Sequence, residues 1–136
     1  METPPSVPPP SQAFLKWWIF LIVSLGTLSV ALGVTSVDIA IPVIMTSLGA
    51  SLDKIQWVLI AFMITRTVLI PSVGWLGGRI GDRNLFILSL ATFMAGSLLC
   101  SISWNVNSLI IFRIIQGIGA GPLIAVAMSI MFEAFP

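Results

Sequence analysis

The sequence has 136 residues, of which 57% are hydrophobic and 8% are charged, and its formal net charge is +1. This hydrophobic fraction lies outside the range of soluble proteins, and a net charge of +1 is too small for a nucleic-acid-binding surface. The chain has no histidine and one cysteine, Cys100, which excludes an internal disulfide and a Cys/His metal site. We therefore predict an integral membrane protein that contacts the lipid bilayer and binds no nucleic acid, metal or cofactor.

Prolines crowd the amino-terminal end and apolar residues fill the rest. The proline-rich stretch predicts a disordered cytoplasmic tail over residues 1–16. Four apolar runs follow, each long enough to cross about 30 Å of hydrocarbon as a helix. The sequence thus predicts an all-α transmembrane domain over residues 17–136, with helices near residues 17–41, 56–76, 85–103 and 109–132.

The basic residues predict how these helices are oriented. Lys16, Arg79 and Arg83 fall on one side of the membrane, whereas the other side has only Lys54. The positive-inside rule therefore places both termini in the cytoplasm. The tryptophans fall near the predicted helix ends, as belts at the two interfaces require; they are Trp17, Trp18, Trp57, Trp75 and Trp104.

Two charges lie inside the first two predicted spans. Asp38 is in helix 1, four residues before Pro42, and Arg66 is near the middle of helix 2. A charge that faces lipid at a helix centre costs about 2.5–3.5 kcal/mol, so such residues normally turn toward a partner or water. Asp38 either snorkels to the outer interface or carries protons or cations. Arg66 forms either a structural ion pair or part of a cavity.

The densest cluster of charge joins predicted helices 2 and 3. Arg79, Asp82 and Arg83 fall within five positions, between two apolar runs that must then be antiparallel neighbours. Glycines four residues apart, Gly74 with Gly78, indicate close approach of the helices. We predict a tight turn that gates the cytoplasmic side, formed by Gly74, Leu76, Arg79, Gly81, Asp82 and Arg83.

Predicted helix 4 has polar and small residues along one face. Arg113, Gln116 and Gly117 follow the i, i+3, i+4 spacing, and Ala120 and Gly121 continue it. This stripe is typical of a wall that faces a cavity or a closely packed neighbour. We assign a cavity or proton-coupling role to Asp38, Arg66, Arg113 and Gln116, and a helix-packing role to Gly117, Gly119 and Gly121.

The depths of the charges within the membrane suggest one specific contact. Arg113 lies about one turn below the outer end of helix 4, at a depth similar to that of Asp38. We therefore expect an Asp38–Arg113 ion pair, with Arg66 as the competing partner for the same acid.

Together these motifs resemble the major facilitator superfamily, specifically the EmrB/QacA-type drug:proton antiporters. The stretch from Gly74 to Arg83 resembles the signature G-x-L-a-D-r-x-G-r-k after helix 2. The stretch from Leu109 to Ala120 is similar to the helix-4 motif l-x-x-x-R-x-x-q-G-x-g-a. The stretch from Leu32 to Pro42 and the triplet Gln56-Trp57-Val58 resemble the L-D-x-T-I-x-N-x-A-L-P and Q-W-V elements of this branch.

The resemblance implies a proton-coupled exporter of hydrophobic or cationic small molecules, driven by the proton gradient, in the plasma membrane of a bacterium. Two departures from the family pattern stand out. In the turn, the family's acid is Gly78 here, and Asp82 occupies a usually basic position. In helix 1, the family's acid falls at Gly33, and Asp38 replaces an asparagine.

The resemblance also implies a longer protein, because the family is built from two six-helix bundles. We expect a fragment that works with missing carboxyl-terminal helices or with a second copy. One alternative is a complete four-helix antiporter that acts as a dimer, like the small multidrug resistance proteins. Another is a membrane assembly subunit without transport. An enzyme is not expected, since the chain lacks histidine, a nucleophile–base pair and a carboxylate cluster.

Overall fold

Residues 10–135 are described in a computed structural model, with side chains from residue 12 onward. They form five α-helices: α1 (Pro10–Leu48), α2 (Leu52–Leu69), α3 (Val73–Ile80), α4 (Asp82–Ser101) and α5 (Val106–Ala134). A 3-10 turn, Ile70–Ser72, joins α2 to α3, so the two form one apolar stretch, Leu52–Ile80. Four segments are thus long and apolar enough to cross a membrane, which confirms the predicted all-α fold with four spans.

The helices extend beyond the apolar runs that predicted them. α1 begins at Pro10 instead of residue 17 and continues past Pro42 to Leu48. At 39 residues, α1 is about 58 Å long, so hydropathy detects only its middle. Of the predicted disordered tail, residues 10–16 are helical, and residues 1–9 lie outside the described part of the chain.

Pro71 explains the interruption between α2 and α3. Proline has no N–H, so the carbonyl of Thr67 cannot accept the usual helical bond from residue 71. The backbone N–H of Ile70 donates to that carbonyl instead. The carbonyl of Thr67 is therefore satisfied by a tighter local turn, as commonly happens where a helix is broken within a membrane.

α5 lies at the centre of the bundle because its glycines permit close packing on both sides. A Cβ on Gly119 would collide with backbone atoms of Ser89 and Phe93 in α4, and one on Gly121 would lie 2.6 Å from the carbonyl oxygen of Arg66 in α2. Gly117 approaches α2 as well, with the Phe62 carbonyl 3.1 Å from its would-be Cβ. Small residues are what allow helix backbones to approach in this way.

α1 runs antiparallel to α5 and packs through aromatic rings. Near one end, the rings of Phe20 and Phe135 meet edge to face at 6.2 Å. The gaps at Gly26 and Gly33 receive the rings of Phe86 and Phe93 from α4. Elsewhere α1 exposes most of its apolar side chains, so this side of α1 is open to lipid or to further helices.

Candidate functional site

Arg113 is a buried cation near the middle of the bundle. Only 1% of its surface is exposed, and its guanidinium carbon lies 4.3 Å from the centre of the Phe62 ring. Its Nη1 donates to Oε1 of Gln116, one turn along α5, at 2.8 Å. Its Nε has no hydrogen-bond partner among the described residues. A ring face and an amide therefore hold this charge, both of which are weaker partners than a carboxylate.

The expected Asp38–Arg113 ion pair is not formed. Asp38 is exposed, and within residues 12–135 no acidic oxygen lies within 4.0 Å of an Arg113 nitrogen. Helical spacing gives the reason. Gly33 packs beside Nε2 of Gln116, 3.8 Å from its would-be Cβ. Because α1 and α5 are antiparallel, Val37 lies one turn after Gly33 on α1, and Arg113 lies one turn before Gln116 on α5, at the same end of the bundle. Asp38 is therefore rotated away by about 100°.

Gln116 links the buried arginine to α1. Arginine can only donate hydrogen bonds, so Oε1 of Gln116 must face Arg113, and the Nε2 donors then point toward Gly33. The thiol of Cys100 also lies 4.0 Å from Oε1. The backbone of Gln116 is held against α4, where a Cβ on Gly96 would meet its Cα at 2.7 Å. These contacts fix the direction in which the amide is presented.

Arg66 forms no side-chain hydrogen bond or salt bridge with this cluster among the described residues. Its side chain is partly buried, and it forms no salt bridge within 4.0 Å with the residues that the structure describes. Its backbone carbonyl, in contrast, packs against Gly121. Within the described residues, Asp38 forms a salt bridge with neither of the arginines that the sequence assigned to its site: Arg113 is buried on α5, Asp38 is exposed on α1, and Arg66 is partly buried on α2.

The predicted gating turn is almost entirely helical. Gly81 alone separates α3 from α4, and its φ of +87° reverses the chain in a conformation that favours glycine. Nothing lies within 4 Å of a Cβ built on Gly74 or Gly78, so the expected close approach at these glycines is absent. Only at Gly77 would a Cβ meet a neighbour, Oδ1 of Asp82 at 2.5 Å.

Side chains at this junction form two contacts that the sequence did not predict. Ser129 of α5 donates to Oδ2 of Asp82 at 2.6 Å, and the guanidinium of Arg79 stacks 4.6 Å from the centre of the Trp75 ring. Leu76 packs on the core and Arg83 is exposed. Ser129 is an isolated serine near the end of an apolar helix. No periodic signal marks it, and only the contact across 47 residues reveals its role.

An apolar groove of about 450 Å³ lies between α1 and α5. Its volume falls within the range of small-molecule sites, which run from about 300 to 1,000 Å³. The lining is apolar except for two hydroxyl side chains; it consists of Val23, Ser24, Thr27, Leu28, Ala31, Ile124, Ala127, Met128 and Met131.

Comparison with known proteins gives consistent results. The family model of the Major Facilitator Superfamily matches residues 23–136. The chain is 40% identical to the probable multidrug resistance protein EmrY of Escherichia coli over 96% of its own length and 26% of the relative's. It is 37% identical to the fatty acid resistance protein FarB of Neisseria gonorrhoeae, over 94% of this chain and 25% of FarB.

A third relative is the multidrug export protein EmrB of Escherichia coli, 40% identical over 85% of this chain and 23% of EmrB. The chain therefore spans about a quarter of the length of the curated relatives it matches. No solved structure gives a significant match.

Proposed function

This chain belongs to the major facilitator superfamily, and from that premise we propose that it forms part of a proton-coupled multidrug exporter. Its multidrug-named relatives, about 40% identical over most of the chain, support the substrate class. The observation that carries the mechanism is Arg113, a cation that is 1% exposed and has no acidic partner among the described residues.

The surroundings of Arg113 favour a functional role over a structural one. A buried ion pair often stabilises a protein no better than apolar residues of the same volume. Arg113 lacks even that compensation, since Nε is unpaired within the described residues and Phe62 and Gln116 are neutral. Charges retained at such cost inside a membrane are usually those of substrate or ion pathways.

Asp38 is the best placed proton carrier. It is the only acid within the apolar stretch of α1, and it is exposed on that helix. An exposed carboxylate can exchange protons with a water-filled cavity, whereas a buried ion-paired one cannot without breaking the pair. We therefore assign proton uptake to Asp38 and electrostatic control of the cavity to Arg113, with the proton gradient as the driving force.

The groove between α1 and α5 suits a hydrophobic small molecule. Its lining offers apolar contacts with only Ser24 and Thr27 as polar groups, the composition typical of small-molecule pockets. A cationic substrate would need a carboxylate as well, and the one acid on α1 is Asp38, about two helical turns beyond Ala31. Hydrophobic compounds, with or without a positive charge, are the substrates that this arrangement supports.

Transport needs more than these four spans. Alternating access moves one helical bundle against another around a central site, and this chain spans about a quarter of its relatives' length. The partner is therefore a set of further helices or a second copy. We place both termini in the cytoplasm, because Lys16, Arg79 and Arg83 share one side.

The test is efflux of a fluorescent cationic dye from bacteria that lack their own exporters. Cells would produce either this chain or the complete reading frame that contains it. The complete protein should expel the dye only while the proton gradient is intact, and Asp38→Asn should abolish efflux. Asp53→Asn, at the exposed start of α2, is the matched control. Efflux that survives Asp38→Asn or collapse of the gradient would contradict the proposal. Efflux by this chain alone would identify the partner as a second copy.

A further inference from the structure

Two arginines at the α3–α4 junction lack the acid that the sequence places beside them. Asp82 lies three residues after Arg79 and next to Arg83, so it could neutralise either. Its Oδ2 instead accepts a hydrogen bond from Ser129 at 2.6 Å. Arg79 and Arg83 are exposed, and within residues 12–135 no acidic oxygen lies within 4.0 Å of either. The junction therefore presents two arginines with which no described acid pairs directly, and Asp82 offsets their charge only from a distance.

An exposed aromatic ring lies beneath one of these charges. Arg79 stacks at 4.6 Å from the centre of the Trp75 ring, and 63% of Trp75 remains exposed. Stacking on a ring restricts the guanidinium and leaves its N–H groups directed outward. Ile80, 42% exposed, adds apolar surface beside them. A cation and apolar groups thus share the end of an apolar span, where hydrocarbon gives way to headgroups.

We propose that this arginine–tryptophan surface, formed by Trp75, Arg79, Ile80 and Arg83, binds an anionic phospholipid. The forked N–H groups of arginine match the oxygens of a phosphate. The acyl chains of the same lipid would cover Trp75 and Ile80. A free phosphate ion could satisfy the arginines but not these apolar side chains, so a lipid is the occupant that the whole surface fits.

Ser129 controls how positive this surface is. The carboxylate of Asp82 is confined between the Ser129 hydroxyl and Gly77, where a side chain on residue 77 would collide with it. While held there, it stays away from both guanidinium groups. If the Ser129 contact is lost, Asp82 can turn to Arg79 or Arg83 and neutralise part of the surface. Lipid binding is therefore coupled to the position of α5.

The test is the affinity of the purified chain in detergent for phosphatidylglycerol, measured by native mass spectrometry beside phosphatidylcholine. Arg79→Gln and Arg83→Gln should each weaken phosphatidylglycerol binding about fivefold, as expected for one basic residue at a membrane surface. Lys54→Gln, which removes an exposed charge near the start of α2, should leave affinity unchanged. Arg79→Lys should fall between wild type and Arg79→Gln, because it keeps the charge but loses the fork.

Two further measurements distinguish the lipid from simpler explanations. Inorganic phosphate at a hundredfold excess should not displace the lipid, and Ser129→Ala should weaken phosphatidylglycerol binding although it removes no charge. Displacement by phosphate would show an anion site without lipid recognition and overturn the proposal. Equal effects of Arg79→Gln and Lys54→Gln, or equal binding of phosphatidylcholine, would also overturn it. Unchanged affinity in Ser129→Ala would refute the control by Asp82. None of these outcomes depends on transport activity.

Discussion

α1 and α5 are almost equally apolar, yet the bundle uses them in opposite ways. The most apolar 18-residue stretches of the two helices have mean hydropathies of 2.0 and 1.9. Of these stretches, 17% of the residues are buried in α1 and 56% in α5. The difference comes from small residues: α5 carries Gly117, Gly119 and Gly121 where α2 and α4 approach. Hydropathy decides that both helices enter a membrane, and glycine placement decides which of them forms the centre.

The two helices also treat their charges differently. Arg113 on α5 is enclosed by Phe62 and Gln116, whereas Asp38 on α1 is exposed. The enclosed charge is held by its neighbours, whereas the exposed one has no acidic or basic partner within 4.0 Å among the described residues. Changes in α5 should therefore affect stability, and changes on the exposed side of α1 should affect activity. The following predictions test this contrast, from the largest expected effect to the smallest.

Gly119→Val should have the largest effect. The added side chain would collide with the backbone of α4 at Ser89 and Phe93, and backbone atoms cannot move aside as a side-chain tip can. We expect destabilisation of about 3 kcal/mol or more, beyond the usual range for overpacking. Urea unfolding in detergent, followed by circular dichroism, measures it. Gly78→Val, at a helical glycine with open space around it, should cost far less. Equal losses would refute α5 as the centre.

Gln116→Leu should destabilise the chain by about 2–3 kcal/mol, because it leaves the buried guanidinium of Arg113 without its acceptor. Arg113→Met should cost less, because it leaves Oε1 of Gln116 without the Arg113 donor but also removes a buried charge that has no acidic partner among the described residues. The double variant strands neither group, so its loss should be smaller than the sum of the single losses. The same unfolding assay gives this coupling energy. Additive losses would mean that the 2.8 Å contact contributes nothing.

Ser129→Ala should lower stability by about 1 kcal/mol or less. It removes one hydrogen bond to a carboxylate, but the contact is exposed and water can replace the serine. Ser101→Ala removes an exposed hydroxyl that bonds only within its own helix, and it serves as the control in thermal unfolding. A much larger loss than 1 kcal/mol would show that the junction depends on this contact for its fold.

Asp38→Asn should change stability least, within about 0.5 kcal/mol, as expected at an exposed position without a partner among the described residues. Its effect should add to that of Arg113→Met, because the two side chains do not touch. A coupling energy of more than about 1 kcal/mol between these positions would support the ion pair that the sequence predicted. The sharpest result would be unchanged stability in Asp38→Asn together with loss of the dye efflux that we propose for the complete protein.

The sequence by itself determined the class of protein, the number of spans and the family. A run of about twenty predominantly apolar residues has few stable states other than a membrane helix, because every backbone N–H and C=O must be bonded within the segment. Four such runs therefore fix the fold class without any knowledge of packing. Motifs of glycine and arginine at fixed spacing added the family, since Leu109–Ala120 follows the helix-4 pattern at every specified position.

Only the tertiary structure decided that Asp38 and Arg113 do not pair. Periodicity places Arg113 and Gln116 on one face of α5. Which residue of α1 faces Arg113 depends on the rotation of α1, which is set where Phe93 meets Gly33. That rotation turns Val37, and not Asp38, toward Arg113. An error of one residue along a helix is about 100° around it, which is enough to separate an expected ion pair. The Asp82–Ser129 contact could not be predicted from the sequence at all, because no local pattern relates residues 47 positions apart.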